Sequence, residues 1–138
     1  MSIFSEFIGA DRGFRALQFF SASSLVPQPL STITEEAVDA LELADGEWTL
    51  VVRDDGSPFG WIDARGVRVH RGGGALYDSV TAGGSLCRPD GTLRAALDAA
   101  LSSPSGIGVA VDDSGAVIGG VVADQVIDAL EDQRRSAD

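Results

Sequence analysis

The sequence contains no lysine; all ten of its basic residues are arginine. That absence removes the P-loop lysine, the Schiff-base lysine and the Ser-Lys pair from the chemistry open to the chain. There is one histidine, His70, and one cysteine, Cys87. Together they are too few for a His/Cys zinc cluster, and a lone cysteine forms no internal disulfide, which fits a reducing, cytoplasmic compartment. A Ser-His-Asp triad would have to use His70, whose setting, VRVHRGGG, reads as a solvated loop. Cys87, in GSLCRPDG, reads as a small buried hydrophobe rather than a nucleophile. No apolar run approaches the ~20 residues of a membrane-spanning helix. The start, MSIFSEFIGADRG, lacks the basic region and long apolar core of a signal peptide.

Positive charge is scarce as well. The ten arginines face 21 acidic residues, for a net charge of −11. A nucleic-acid backbone binder needs a basic surface, and an anionic membrane repels a chain this acidic. A local arginine cluster can still hold a small anion. At 138 residues, 44% hydrophobic and 22% charged, the chain reads as one globular domain or two small units sharing a core.

What is present is a repeat. TLVVRDDGSPFGWIDARGV at 49–67 and GVAVDDSGAVIGGVVADQV at 108–126 each run from apolar β-formers into Asp-Asp and a glycine turn. Each then resumes apolar and ends in a helix-like start. Before each lies a helical pattern. TITEEAVDALEL is read as a helix capped by Thr34, with Glu35 and Glu36 in its first turn. GTLRAALDAALSS is read as a strongly amphipathic helix, with Pro104 just beyond it. Matching Asp54-Asp55 to Asp112-Asp113 and Gly60 to Gly120 gives an offset that drifts from 58 to 60. Two ~60-residue units, each marginal alone, predict a shared core with pseudo-two-fold symmetry and a cleft at the seam. The paired acids sit at hairpin tips and read as turn formers. Ile3, Phe4, Phe7 and Ile8 fall at helical spacing in an apolar first segment that Gly13 can end.

The two halves resemble the CBS-domain pair, or Bateman module, on EEA at 35–37, DDGSPFGWID, TLRAAL and DDSGAVIGGVV. The resemblance implies an α+β fold of two β-α-β-β-α repeats. The boundaries are a helical connector over 1–21, a first unit over 22–72 and a second over 73–138. EFIGADRGFRAL is similar to the connector that leaves the ATP-binding subunit of glycine betaine/carnitine/choline ABC importers. The ATPase core of that family is absent from the sequence, so the chain is expected to be the non-catalytic C-terminal regulatory part. The resemblance implies a homodimer, working with an ATPase core and a membrane permease at the inner face of the cell membrane, without inserting into it. Two controls are implied: ionic strength, or a nucleotide such as an adenine nucleotide or cyclic di-AMP. The alternative is a ligand-free dimerisation scaffold.

Ligand-binding candidates are Val26, Trp61 and Ile62 along the seam and Arg53 and Arg65 for phosphate, with Arg68 and Arg71 behind them. Asp63 stands at the family's phosphate-contacting position. At the family's ribose-binding acid the first unit has Gly66 and the second is aligned to Val126, so neither acid is kept. Asp128, Glu131, Asp132 and Asp138 are the acids offered for ionic-strength sensing, diluted by Arg134 and Arg135.

Overall fold

A computed structural model describes residues 27–137; the connector over 1–21 and Val26 lie outside the described residues. The first sheet holds β1 (Thr32–Thr34), β2 (Thr49–Val52) and β3 (Pro58–Ile62), with β1 parallel and β3 antiparallel to β2. The second repeats that plan with β4 (Leu86–Cys87), β5 (Ile107–Val111) and β6 (Val117–Val122). Helices α1 (Ala64–Arg71) and α2 (Leu76–Ser79) follow the first sheet. In the second unit α3 (Leu93–Ser102) lies between β4 and β5, and α4 (Ala123–Ala137) follows β6. No helix among the described residues is long and apolar enough to cross a membrane.

Side-chain alternation in the strands sorts residues into three cores. Val51 and Ile62 point to the helical side of the first unit, with Val38 and Val67. Ala110 and Val121 point to the helical side of the second, with Leu93, Leu97, Val126 and Leu130. The residues between them, Leu50 and Trp61 from one sheet and Val109 and Val111 from the other, meet in a core shared by both units. The hairpin tips also touch, because the Val117 amide donates to the Gly56 carbonyl at 2.9 Å.

The strand register sets one constant offset of 59. Val51 opposes Gly60 as Ala110 opposes Gly119, and a bulge follows each of Val51 and Ala110. Each turn closes alike, Arg53 N to Ser57 O and Asp112 N to Ala116 O, both 2.9 Å. Gly56 and Gly115 supply the left-handed residue, at φ 85° and 87°. The drift from 58 to 60 is therefore corrected. Asp54 corresponds to Asp113, and the acids that organise the turns are not equivalent. Asp55 accepts the Ser57 amide (2.9 Å) and hydroxyl (2.6 Å), while Asp112 accepts the same pair from Ser114 at the same distances. These bonds, the serine hydroxyl's first, lower both carboxyl pKa values.

The helices depart from one another. Thr92 caps α3 by accepting the Ala95 amide at 3.1 Å, and Ala96, Ala99 and Ala100 let it lie close against β5. The matching segment of the first unit is not an α-helix but a 3₁₀ turn over Glu35–Ala40. Its Val and Asp are poor helix formers, and Thr34 makes no side-chain cap to the backbone. The turn ends in extended Leu41, where Arg71 takes over: Nε donates to the Asp39 carbonyl (2.7 Å) and Nη2 to that of Leu41 (2.8 Å). His70 is on α1 rather than in a loop, its Nδ1 2.6 Å from Asp39 Oδ1.

Candidate ligand cleft

Each unit is entered by a segment that crosses to the other. Gln28 exchanges two hydrogen bonds of 2.9 Å with Gly120 in β6, and Thr81 exchanges bonds of 2.9 and 2.7 Å with Trp61 in β3. Trp61 and Gly120 are equivalent at the offset of 59, so the two crossings are related by the pseudo-two-fold. Glycines admit both. A Cβ on Gly60 would meet Val80 Cγ2 at 2.9 Å, and one on Gly119 would meet Gln28 O at 2.7 Å.

Where the segment after Thr81 leaves β3, an open cleft of about 240 Å³ remains. Its walls come from β2 and β3 (Leu50, Phe59, Trp61), the 82–86 segment, the end of α3 (Ala99, Ser103) and β5 (Ile107, Val109). Among the described residues, no charged side chain lines it. Its volume falls below the ~300–1,000 Å³ usual for drug-sized ligands. Trp61 is 1% exposed, and its indole Nε1 has no hydrogen-bond partner among the described residues. A buried donor left so costs about 1–3 kcal/mol. The ring's Cδ1–Nε1 edge faces Gly83: a Cβ there would sit 3.6 Å from both atoms and meet nothing nearer.

The candidate residues do not converge. Trp61 reaches the cleft, but its ring is built into the shared core. Ile62 is fully buried in the first unit's core, on the other face of β3. Asp63 caps α1 by accepting the Gly66 amide at 2.9 Å, which occupies one of its oxygens. Arg65 is exposed on α1. Arg53 lies outside the cleft, over the Phe59 ring at 5.0 Å, donating to the Pro58 carbonyl at 2.8 Å. It separates two shallow depressions, one with Glu35, Glu36 and Asp54, the other with Tyr77, Val80 and Ala82. Thr34's hydroxyl, after the backbone amide of Glu36 itself, lowers the Glu36 pKa. Tyr77 is 80% exposed.

The missing ribose acid has a steric explanation in the first unit. A Cβ on Gly66 would lie 2.0 Å from the Ser79 carbonyl oxygen and 2.7 Å from Ile62 Cγ1. The end of α2 thus fills the place of any side chain there. In the second unit the offset of 59 puts Gln125 at that position, not Val126, which is a core residue of α4. Cys87 is buried, its pKa raised by that burial, so it is no ready nucleophile. Reasoning from sequence missed the 82–86 segment as a cleft wall; its signal was the Gly83-Gly84 pair.

No family model matches the sequence, and no curated protein matches it at a significant level. Solved structures do. Staphylococcus aureus OpuCA is 19% identical, with 79% of this chain and 97% of that one covered and a TM-score of 0.54. CBSX2 from Arabidopsis thaliana, also known in complex with AMP, is 16% identical, with 84% and 97% covered and a TM-score of 0.56. CbpB, in complex with c-di-AMP, is 14% identical, with 96% of each chain covered and a TM-score of 0.54. The fold is that of a tandem CBS pair, α+β, as the sequence motifs implied.

Proposed function

We propose, from the fold of a CBS-domain pair, that this chain is the non-catalytic regulatory module of an osmoprotectant ABC importer's ATP-binding subunit. The observation that carries the reading is the likeness to OpuCA, which extends over 97% of that chain, joined to the connector-like EFIGADRGFRAL in front of it. The module works as a homodimer at the inner face of the membrane, beside an ATPase core and a permease, and tunes transport.

Ionic strength is the favoured signal. Among the described residues the cleft offers no cation to a phosphate, and α2 closes the place of the first ribose acid. A mononucleotide therefore has little to hold it within one chain. Two copies at −11 each repel, and the repulsion reaches ~10 Å at 0.1 M salt but ~3 Å at 1 M. Salt thus tightens the dimer, while it loosens contact between the acidic surface and any basic patch on the ATPase. Glu131 and Asp132 of α4 contribute weakly, because they already lie 3.9 and 3.7 Å from Arg135. Cyclic di-AMP, which CbpB binds in its solved complex, is the second signal, read across two modules by exposed Arg53 and Arg65.

Sedimentation equilibrium of the full chain, from low to high salt and with AMP, ATP or cyclic di-AMP, tests this. A dimer that tightens about tenfold or more with salt supports ionic sensing. One that tightens only with cyclic di-AMP supports nucleotide sensing. A dimer indifferent to both is the ligand-free scaffold, and a monomer under all conditions refutes the reading.

A further inference from the structure

The pseudo-two-fold pairs α1 with α4: they begin at Ala64 and Ala123, 59 residues apart. Over their first eight positions the two helices carry opposite charge. ARGVRVHR holds three arginines and no acid, while ADQVIDAL holds two aspartates and no cation. The contrast falls on the outward faces. On α1, Arg65, Arg68 and Val69 are exposed at the i, i+3, i+4 spacing of one face, away from buried Gly66 and Val67. On α4, Asp124, Asp128 and Glu131 are exposed at i, i+4, i+7, away from buried Val126 and Leu130. Arg65 corresponds directly to Asp124. Other arginines are engaged: Arg71 by the carbonyls of 39 and 41, Arg88 by Asp90 and Asp113, Arg135 by Glu131 and Asp132. Among the described residues, neither Arg65 nor Arg68 has an ion pair, and neither has Asp124 or Asp128.

We propose that two copies of this chain join head to tail, α1 of each against α4 of the other. The proposal rests on the homodimer reading above and adds which faces meet and in which direction. A closed two-fold dimer makes such a contact twice. Head to tail, Arg65 and Arg68 meet Asp124 and Asp128 at both contacts. Head to head, arginines meet arginines and aspartates meet aspartates. Like charges brought together cost more than exposed opposite pairs contribute, so the charges act chiefly by excluding the wrong direction. The repulsion between two chains at −11 is common to both directions. It sets how tightly the copies meet, not which way round. Val69, 36% exposed beside the two arginines, adds apolar contact.

Sedimentation equilibrium of the full chain at one fixed ionic strength, without nucleotide, tests this on three variants. Arg65→Glu/Arg68→Glu makes the chain four charges more acidic, and Asp124→Arg/Asp128→Arg makes it four charges less acidic. The fourfold exchange that combines them leaves the net charge at −11. The expected result is a dimer weakened about tenfold or more in both double variants, and restored to within about threefold of the wild type in the fourfold exchange. All four side chains are exposed, so melting temperatures should hold. Asp124→Asn/Asp128→Asn serves where arginine at the helix start lowers the melting temperature, and it should weaken the dimer about threefold. The proposal alone is overturned by double variants that match the wild type, by doubles that follow net charge, one weaker and the other tighter, or by a fourfold exchange as weak as the doubles. A monomer in the wild type and every variant overturns the homodimer reading together with it.

Discussion

Gly66→Ala isolates why the first unit carries no acid at its nucleotide position. Gly66 is within α1, where alanine alone would gain about 1 kcal/mol of helix propensity. The new Cβ, however, falls 2.0 Å from the Ser79 carbonyl oxygen, about an ångström inside any tolerable contact. The obstacle is backbone, so no rotamer change relieves it. The end of α2 must move away, and Leu76 and Val80, packed on the Val38–Ile62 core, move with it. Overpacking of this kind costs ~1–3 kcal/mol, and the depth of the overlap puts it at the upper end. Net of the helix gain, the variant should lose about 2 kcal/mol, a fall in Tm of roughly 6–8 °C for a chain this size. Gly83→Ala is the control. Its Cβ meets nothing nearer than 3.6 Å and its φ is not positive, so it should be neutral or gain up to about 1 kcal/mol. Thermal melts and urea titrations of the pair decide the matter. A Gly66→Ala protein as stable as Gly83→Ala would refute the argument that α2 closes the position.

Gly108→Ala drives a Cβ to 2.7 Å from the Ala100 amide nitrogen and should cost ~1–3 kcal/mol in urea unfolding by prying α3 off β5. Arg71→Ala removes two donors from the end of the 3₁₀ turn and should cost about 1–2 kcal/mol of unfolding free energy, read as a lower urea midpoint at unchanged slope. Asp55 and Asp112 are more acidic folded than unfolded. Their contribution is therefore complete above the ordinary carboxylate range and lost as pH falls through their lower folded values. Urea midpoints measured from neutral to acidic pH should show a steeper acid limb for the wild type than for Asp55→Asn/Asp112→Asn.

Features set by neighbours in sequence were legible beforehand. The α3 helix follows from its alanines and leucines with Thr92 ahead of them; the hairpins follow from glycine placed after acids. Cys87 was rightly read as core, because a lone thiol between apolar strands has little else to do. What escaped depended on partners far along the chain. His70 finds Asp39 and Arg71 finds the carbonyls of 39 and 41, some 30 residues away, which no local pattern announces. The Asp-Asp pairs misled the alignment by one residue. Either acid of such a pair can hold a turn serine, and only the ladder register shows that Asp55 and Asp112 hold different turn positions. The cleft was expected at the seam, but among the described residues no arginine lines it, and Arg53 lies over Phe59 instead.

The repeats have diverged in complementary ways. At the offset of 59, Trp61 corresponds to Gly120. A Cβ on Gly120 would already meet Ile107 Cγ2 at 2.6 Å, so a second tryptophan does not fit and the shared core takes its large ring from one side alone. Thr49 corresponds to Gly108 in the same way, the glycine admitting α3 where the first unit has only a 3₁₀ turn. On the second unit's side the crossing segment presses on Gly119, with Pro27 Cβ 2.7 Å from where its Cβ would be, and no indole donor stands behind it. The two-fold relation of the backbones thus does not extend to their chemistry.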